Sequence, residues 1–316
     1  MNLDIIGDIH GHANDLIDLL EVQLKYTREG DTFTPPPGTH TLFLGDYIDR
    51  GVNGGLVIRI VRSMVDRGVA TALMGNHEYN AICYATLGPD GTPLRPHGPG
   101  NMKQHRAFID EFAQHPDDYQ EQIRWFRTLP LFTEVGEIRA VHAAWDPKFI
   151  ARAKRHPGLR DQWMSDTFIQ QSAVVGSKEF KLVETLLKGP EQRLPDSAFF
   201  RDKGGKLRKR ARLRWWSNPT RVSDHFVMGH HGCTASPDLP GLTAPSNTLR
   251  LSADAAPVFF GHYWFSELKR SVGNNWACLD HSIANGGRLS CYQYRAEDAK
   301  EPLHWRNIVS SAVSPG

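Results

Sequence analysis

The hydrophobic pattern of the first 80 residues alternates between two periods. Short apolar runs at residues 3–6, 41–44 and 70–74 are bounded by glycine and have the length of buried strands. Between these runs, residues 13–26 and 55–67 carry apolar side chains at the spacing of a helix. This order of strand, helix, strand, helix and strand predicts a mostly parallel sheet with helices packed on it.

The pattern becomes less regular after residue 79. Residues 104–126 predict a helix, within a helical insertion at about 80–128 that would flank the edge of the sheet. Residues 131–135 and 138–141 predict two strands around a glycine turn, and a variable insertion follows at about 146–225. Further strands are predicted at residues 226–228, 258–260, 276–279 and 289–294.

Each of the first three predicted strands leads into a glycine followed by residue types that bind metals. Asp8 and His10 follow the first strand, Asp46 the second, and Asn76 and His77 the third. An Asp-x-His pair by itself is more often a solvated turn. Because the carboxyl ends of parallel strands meet at one edge of a sheet, where ligands bind in open α/β folds, these donors are expected to converge. Together they favour a metal site.

Composition narrows the class of protein. The chain has 316 residues, 40% of them hydrophobic and 23% charged, and a formal net charge of +2. This balance is ordinary for a globular protein and indicates neither a nucleic-acid nor a membrane partner. The sequence has no leader-like start, no apolar run of the ~20 residues that cross a bilayer, and no C-x-x-C pair among its four cysteines. It predicts a reduced, cytoplasmic protein, and the absence of a linker favours a single domain over residues 1–316.

Three segments, GDIHGH, GDYIDRG and GNHE, occur in this order at residues 7–12, 45–51 and 75–78. They resemble the three signature blocks of the calcineurin-like metallophosphoesterases. The DRG and GNHE forms resemble the phosphoprotein phosphatase branch, which includes serine/threonine protein phosphatases and bacterial symmetrical diadenosine tetraphosphatases. The resemblance implies an α/β fold in which a two-sheet β-sandwich is flanked by helices, in the order α/β/β/α. It also implies hydrolysis of phosphate esters or anhydrides by a metal-bridging hydroxide.

The resemblance implies a dinuclear metal centre. The positions that match the family's metal ligands are Asp8, His10, Asp46, Asn76, His142 and His262. Asp8 and His10 would hold the first ion, and Asp46 would bridge both, because a carboxylate can share an oxygen between two cations. Carboxylate, imidazole and amide donors suit Mn²⁺, with Fe or Zn²⁺ as alternatives.

Two of these positions depart from the family pattern or have a competitor. His142 lies in His-Ala-Ala, where protein phosphatases usually have His-Gly-Gly. His262 lies in Gly-His-Tyr-Trp, which resembles the Gly-His-Trp block of the tetraphosphatases. His230 also follows an apolar run and a glycine, and it is the alternative to His262.

The remaining catalytic assignments also follow from the resemblance. His77 would protonate the leaving-group oxygen, and Asp49 would orient its ring. Arg50 would bind the phosphate through its planar fork, together with Asn76. His12, Glu78 and His281 lie near these blocks and are expected to be structural.

A second phosphate-binding arginine is expected from the family. Arg214 and Arg221 flank residues 215–219, which resemble the Trp-Ser-Asp-Pro stretch of protein phosphatases, and Arg221 is the predicted residue. Residues 201–214 form a basic run. It predicts a solvated face or hairpin rim, with a rim that attracts a nucleoside polyphosphate or an RNA end as the alternative.

The substrate remains open between two classes. A protein serine/threonine phosphatase-like function, with a phosphoprotein as partner, is the first prediction. Hydrolysis of a dinucleoside polyphosphate such as diadenosine tetraphosphate is the alternative, because loops rather than metals distinguish such substrates. A non-catalytic binding protein is disfavoured, since every expected ligand type and the pair of His77 and Asp49 are present.

Overall fold

A computed structural model describes residues 1–160, 163–202, 205–228, 237–245, 249–298 and 301–312. The strands are β1 (Asn2–Ile6), β2 (Thr27–Glu29), β3 (Thr32–Thr34), β4 (Thr39–Phe43), β5 (Ala70–Ala72), β6 (Phe132–Val135), β7 (Ile138–Val141), β8 (Glu191–Arg193), β9 (Phe200–Arg201), β10 (Leu207–Arg208), β11 (Arg210–Leu213), β12 (Phe226–Val227), β13 (Val258–Phe260), β14 (Trp276–Cys278), β15 (Asp280–His281), β16 (Arg288–Tyr294) and β17 (Ile308–Ser310). The α-helices are α1 (Ala13–Ile17), α2 (Gly54–Asp66), α3 (Asn76–Ala85), α4 (Pro99–Glu111), α5 (Pro116–Phe126), α6 (Pro147–Arg155), α7 (Asp166–Ala173) and α8 (Lys178–Lys188).

Two sheets form the centre of the molecule. The larger sheet has the order β15-β16-β1-β4-β5, with β17 paired to β16. In this sheet β1, β4 and β5 run parallel, as the alternation of the first 80 residues predicts. The smaller sheet has the order β14-β13-β7-β6, and β13 runs parallel to both of its neighbours.

The two sheets pack face to face through alternate side chains of their strands. Leu3 and Ile5 of β1 share one buried cluster with Ala140 of β7 and Phe259 of β13. The next residue along β1, Ile6, points to the opposite face and packs in a second cluster with the helices. Successive side chains of a strand alternate between faces, so a short apolar run can fill both layers. The result is the sandwich of two sheets flanked by helices that the resemblance implies.

The helical insertion differs from its prediction in one respect. Residues 104–126 were expected as one helix, but the structure has two, α4 and α5. The break lies at Pro116, which is the first residue of α5. Proline suits this position, because its missing N–H would have no partner in the first turn, and it disfavours helical geometry in the preceding residue.

The first helix is also shorter and more varied than residues 13–26 predict. It continues beyond α1 as a π-helical segment over Asp18–Gln23. Throughout the residues that the structure describes, every helix falls short of the length and apolar content needed to span a bilayer.

Candidate metal centre

The donors predicted from the sequence converge around Asp46. Its Oδ2 lies 3.6 Å from His10 Nε2, and its Oδ1 lies 3.4 Å from His142 Nε2. The possible ligand atoms form two groups, and within each group all atoms lie within 4.8 Å of one another. One group consists of His10, Asp46 and His77, and the other of Asp46, His142 and His262. Asp46 belongs to both groups, which is the position that a carboxylate shared by two cations requires.

Asp8 and Asn76 complete the arrangement. Asn76 Oδ1 lies 3.2 Å from His142 Nε2. Asp8 accepts hydrogen bonds from the backbone N–H of His262 through both oxygens, at 3.3 and 3.2 Å. All six positions that match the family's metal ligands are therefore close together, while His230 lies outside the described residues.

Backbone carbonyls orient two of the imidazoles. His142 Nδ1 donates to the carbonyl oxygen of Leu44 at 2.8 Å, and His10 Nδ1 donates to that of Ile48 at 3.2 Å. A proton held on Nδ1 leaves Nε2 with its lone pair, which is the form in which imidazole binds a metal. In both residues Nε2 is the atom that faces Asp46.

His262 provides the clearest test of whether a metal fits here. Its Nε2 is buried and has no hydrogen-bond partner among the described residues. An unpaired buried nitrogen is costly in free energy, and a cation bound between His262, His142 and Asp46 would satisfy it. The donor set also matches the carboxylate, imidazole and amide ligands of Mn²⁺, Fe or Zn²⁺.

Burial would lower the pKa of His142, but the charge of Asp46 and the contacts of other neighbours together outweigh burial and raise this pKa to about 10. At two other donor histidines the dominant effect is burial. It lowers the pKa of His10 to about 4 and that of His262 well below its usual value. Both rings are therefore neutral near pH 7 and able to act as ligands. Burial, and then the nearby Asp280, raise the pKa of Asp8 well above its usual range. Crowded buried carboxylates of this kind favour binding of a divalent cation, which neutralises their charge.

Backbone strain is concentrated at this centre. Within the described part of the chain, seven non-glycine residues have a positive φ, and five of them are His10, Asp46, Asp49, Arg50 and His262. Such conformations cost about 1–3 kcal/mol each and persist where the surroundings enforce them, most often at functional sites. Their clustering here independently marks this edge of the sheets as the candidate active site.

Two glycines leave the space that the carboxylates occupy. A Cβ on Gly75 would lie 2.2 Å from Asp46 Oδ1, and a Cβ on Gly261 would lie 2.0 Å from Asp8 Oδ1. These distances are far below van der Waals contact, so any side chain at either position would displace a metal-ligand candidate. This explains why glycine precedes Asn76 and His262.

His77 and Asp49 form the expected pair, and a third residue joins them. His77 Nδ1 donates to Asp49 Oδ2 at 2.5 Å. The other oxygen of Asp49 accepts from His105 Nδ1 at 2.9 Å. Sequence reasoning missed His105, because a histidine in a weakly patterned insertion carries no motif. The only available signal was its spacing of three residues from the apolar Phe108.

Glu78 has the structural role expected of it. Its buried carboxylate accepts backbone N–H groups of Gly75, Asp46 and Tyr47 at 2.8–3.0 Å, and that of Ile48 at 3.3 Å. It thereby joins the loop after β4 to the start of α3, which carry Asp46 and Asn76 respectively. Buried backbone N–H groups need such partners, so Glu78 fixes the spacing of the donors.

The arginines are arranged differently from the prediction. Arg221 is exposed, and its Nη2 lies 2.6 Å from Asp238 Oδ2. It has no contact with the metal-ligand candidates in the part of the chain that the structure describes. The charge of Arg212 acts on the centre instead, because burial and then this charge lower the pKa of His262. Arg212 Nε is buried and without a partner among the described residues.

Arg214 and Arg50 complete the set of candidate phosphate-binding arginines. Arg214 Nε donates to the carbonyl oxygen of Phe226 at 3.3 Å, and its buried Nη2 has no partner in the described ranges. Arg50 is exposed and has a φ of 72°. Its charge adds to the effect of burial in lowering the pKa of His10.

Comparison with known proteins identifies the family of this chain. The profile of the calcineurin-like phosphoesterase family matches residues 1–189, more than half of the chain. The chain belongs to the calcineurin-like phosphoesterases. Members of this family depend on two metal ions, and this phosphoesterase is a hydrolase with His and Asp groups able to bind metal.

This phosphoesterase is similar to proteins of several named activities. It is 28% identical over 311 residues to a symmetrical bis(5'-nucleosyl)-tetraphosphatase of Cronobacter sakazakii, covering 93% of this chain and 91% of the relative. It is 40% identical over 159 residues to an asymmetrical bis(5'-nucleosyl)-tetraphosphatase of Geobacillus thermodenitrificans, covering 48% and 61%. A solved structure of a cold-active protein-tyrosine phosphatase of a Shewanella species matches with a TM-score of 0.52 at 15% identity, covering 98% and 80%, which shows the fold alone.

Proposed function

We propose that this phosphoesterase hydrolyses a phosphoanhydride of dinucleoside polyphosphates at a dinuclear metal centre. The observation that carries the proposal is the position of Asp46, which belongs to both groups of ligand atoms. The substrate class is supported by the similarity to a symmetrical bis(5'-nucleosyl)-tetraphosphatase over 93% of the chain. Phosphoprotein hydrolysis, the first prediction from the sequence, becomes the alternative.

The six predicted ligands would hold the two ions as the resemblance implies. Asp8 and His10 would bind one ion, Asn76, His142 and His262 the other, and Asp46 both. When bound, the ions would neutralise charge on the phosphate and activate the attacking water. We propose Mn²⁺ as the native metal, with Fe or Zn²⁺ as alternatives, because the mixed donor set accepts all three.

His77 would supply the proton that the leaving-group oxygen needs. Burial lowers the pKa of His77, but the charges of Asp46 and Asp49 outweigh burial and raise it above its usual value. The protonated form is therefore available near neutral pH. Because its Nδ1 donates to Asp49, its Nε2 is the nitrogen left to protonate the leaving oxygen.

Arg50 and Arg212 would bind the phosphate groups from two sides. The charge of Arg50 acts on His10, whereas that of Arg212 acts on His262. The two histidines belong to different groups of ligand atoms, so the two positive charges act on different halves of the centre. A polyphosphate carries enough charge to engage both.

Replacing Arg212 by methionine should raise KM for diadenosine tetraphosphate about 10- to 100-fold, since a hydrogen bond to a charged group contributes roughly 1.5–3 kcal/mol. Arg221→Met is the matched control and should change KM less than twofold, because Arg221 is exposed and paired with Asp238. Steady-state kinetics on the Mn²⁺-loaded proteins measures both. A larger effect of Arg221→Met would restore the prediction made from the sequence.

A paired assay tests the substrate class. On Mn²⁺-loaded protein, kcat/KM for diadenosine tetraphosphate should exceed that for a phosphoserine peptide by at least about a hundredfold, or roughly 2.7 kcal/mol of transition-state binding. The His77→Ala variant, prepared in parallel, controls for contaminating phosphatases. A preference for the peptide would establish the alternative, and a protein that binds no metal would overturn the mechanism.

We also propose that the protein acts in the reducing cytoplasm, as its sequence predicts. Three of its cysteines, Cys83, Cys278 and Cys291, are buried free thiols. Burial raises the pKa of the Cys83 thiol to about 11, which keeps this thiol protonated and unreactive. They fit a compartment where thiols remain reduced.

A further inference from the structure

Both oxygens of the Asp49 carboxylate are held by imidazoles. Oδ2 accepts from His77 Nδ1 at 2.5 Å, and Oδ1 accepts from His105 Nδ1 at 2.9 Å. The chain of contacts continues to Tyr119, whose hydroxyl lies 3.4 Å from His105 Nε2. Asp49 is 3% exposed and His105 is 4% exposed, so the hydrogen bond between them is shielded from water, whereas Tyr119 is partly exposed.

We infer that His105 is a positioning residue that fixes the Asp49 carboxylate and, through it, the ring of His77 for proton transfer to the leaving group. The inference rests on the proposed acid role of His77. A carboxylate held through one oxygen can still rotate about its terminal torsion, which is broad. A second donor on the other oxygen removes that freedom, so the direction of the His77 ring becomes defined.

The charge of Asp49 is maintained by the same contacts. Burial would raise the pKa of this carboxyl, but the hydrogen bonds from His105 and then from His77 lower it below its usual value. Asp49 therefore remains an acceptor for both rings. Removing His105 would leave one oxygen of a buried carboxylate unpaired, which is the costlier way to lose a hydrogen bond.

The helix that carries His105 is anchored to the scaffold. Glu111, at the end of α4, accepts the backbone N–H of Gly55 through both carboxylate oxygens at 2.9 Å. Gly55 lies in the first turn of α2, which follows the loop containing Asp49. Phe108 packs on Phe126 of α5, with ring centroids 5.8 Å apart. The insertion thus presents His105 to Asp49 from a fixed position, and orienting a catalytic group this closely is worth large factors in rate.

A buried histidine can also serve packing alone, so the test must separate the two roles. The ring of His105 contacts Phe108 and Tyr84, with centroids 5.2 and 5.3 Å away. His105→Phe keeps an aromatic ring for these contacts but loses the donor to Asp49. His105→Asn loses the ring but keeps an N–H donor near the position of Nδ1. If packing is the role, phenylalanine is the better replacement; if positioning is the role, asparagine is.

The readout is the dependence of kcat on the leaving group. Aryl phosphates whose phenols range from pKa about 4 to about 10 need different amounts of help from a general acid. We expect His105→Phe to lower kcat about 10- to 100-fold for phenyl phosphate and less than threefold for 2,4-dinitrophenyl phosphate. His105→Asn should recover most of the loss. A loss that is equal for all leaving groups, or a better recovery with phenylalanine, would overturn the inference.

A double-mutant cycle provides the second measurement. If His105 acts only through His77, adding His105→Phe to His77→Ala should reduce kcat for phenyl phosphate by less than a further twofold. An additive loss would contradict the inference. Metal content and thermal melts of each variant establish whether it is folded. If His105→Phe does not fold, Tyr119→Phe is the second variant, because it deletes one oxygen from the same series of contacts. We expect it to show the same dependence on the leaving group, with a smaller effect.

The outcomes distinguish this inference from the proposed function. A parent protein that holds two ions but hydrolyses none of the aryl phosphates, nor diadenosine tetraphosphate, would overturn both. An active parent in which His77→Ala depends on the leaving group and His105→Phe does not would overturn the inference about His105 alone.

Discussion

Replacing Asp46 by alanine is expected to reduce kcat/KM by about a thousandfold or more and to lower the bound metal from two ions per chain to at most one. The carboxylate of Asp46 belongs to both groups of ligand atoms, so its loss affects both cations. Charge stabilisation by a catalytic metal contributes several kcal/mol, and each 1.36 kcal/mol is tenfold in rate. Elemental analysis of desalted Mn²⁺-loaded protein and steady-state kinetics measure the two effects.

Asp46→Asn sharpens this test. Asparagine preserves the shape of the side chain and an acceptor for the backbone N–H of His77, which Asp46 Oδ1 binds at 3.0 Å. Folding should therefore be retained, while the negative charge and one of the two carboxylate oxygens are lost. Asp110→Asn is the control, because this exposed carboxylate pairs with Arg106 at the surface. An Asp46→Asn variant with two bound ions and near-parental activity would contradict the bridging role.

The first half of the fold and the convergence of the donors after its three strands could be predicted from local patterns, whereas His142 and His262 followed from the family resemblance. The order of strands and helices up to residue 80 is encoded in short-range periodicity, and the glycines that end the strands mark the sheet edge. Asp8, Asp46 and Asn76 lie immediately after these strands, so their convergence follows from parallel topology. Nothing beyond the chain order was needed to bring them together.

The residues that could not be predicted depend on contacts between distant segments. His105 and Asp49 are 56 positions apart in sequence, and the helix that carries His105 belongs to an insertion without a regular hydrophobic pattern. Arg212 lies in β11, where arginines at alternate positions share one face. The period of a strand does not say which face points toward the centre, and the resemblance of residues 215–219 to a family motif favoured Arg221 instead.

The structure separates two tasks between these parts of the chain. The segments that follow β1, β4, β5, β7 and β13 carry the metal-ligand candidates and most of the strained residues, which Glu78 and the close-packed glycines hold in place. The insertions add His105 and Arg212 from outside the sandwich. The rigid sheet edge therefore holds the metal-ligand candidates, while the inserted elements add residues that orient His77 and bind the substrate phosphate in our proposals.

Replacing His77 by alanine should lower kcat for phenyl phosphate by about 10²- to 10⁴-fold, the contribution typical of a general acid, without changing the two bound ions. The number of bound ions must be compared with that of Asp46→Ala, because His77 lies within ligand distance of His10 and Asp46 and is itself a candidate metal ligand. Its Nδ1 is committed to Asp49, and this contact favours the acid role. His97→Ala, which changes an exposed histidine, is the control. If His77→Ala loses one ion, His77 is a metal ligand and the leaving-group oxygen must take its proton from another source.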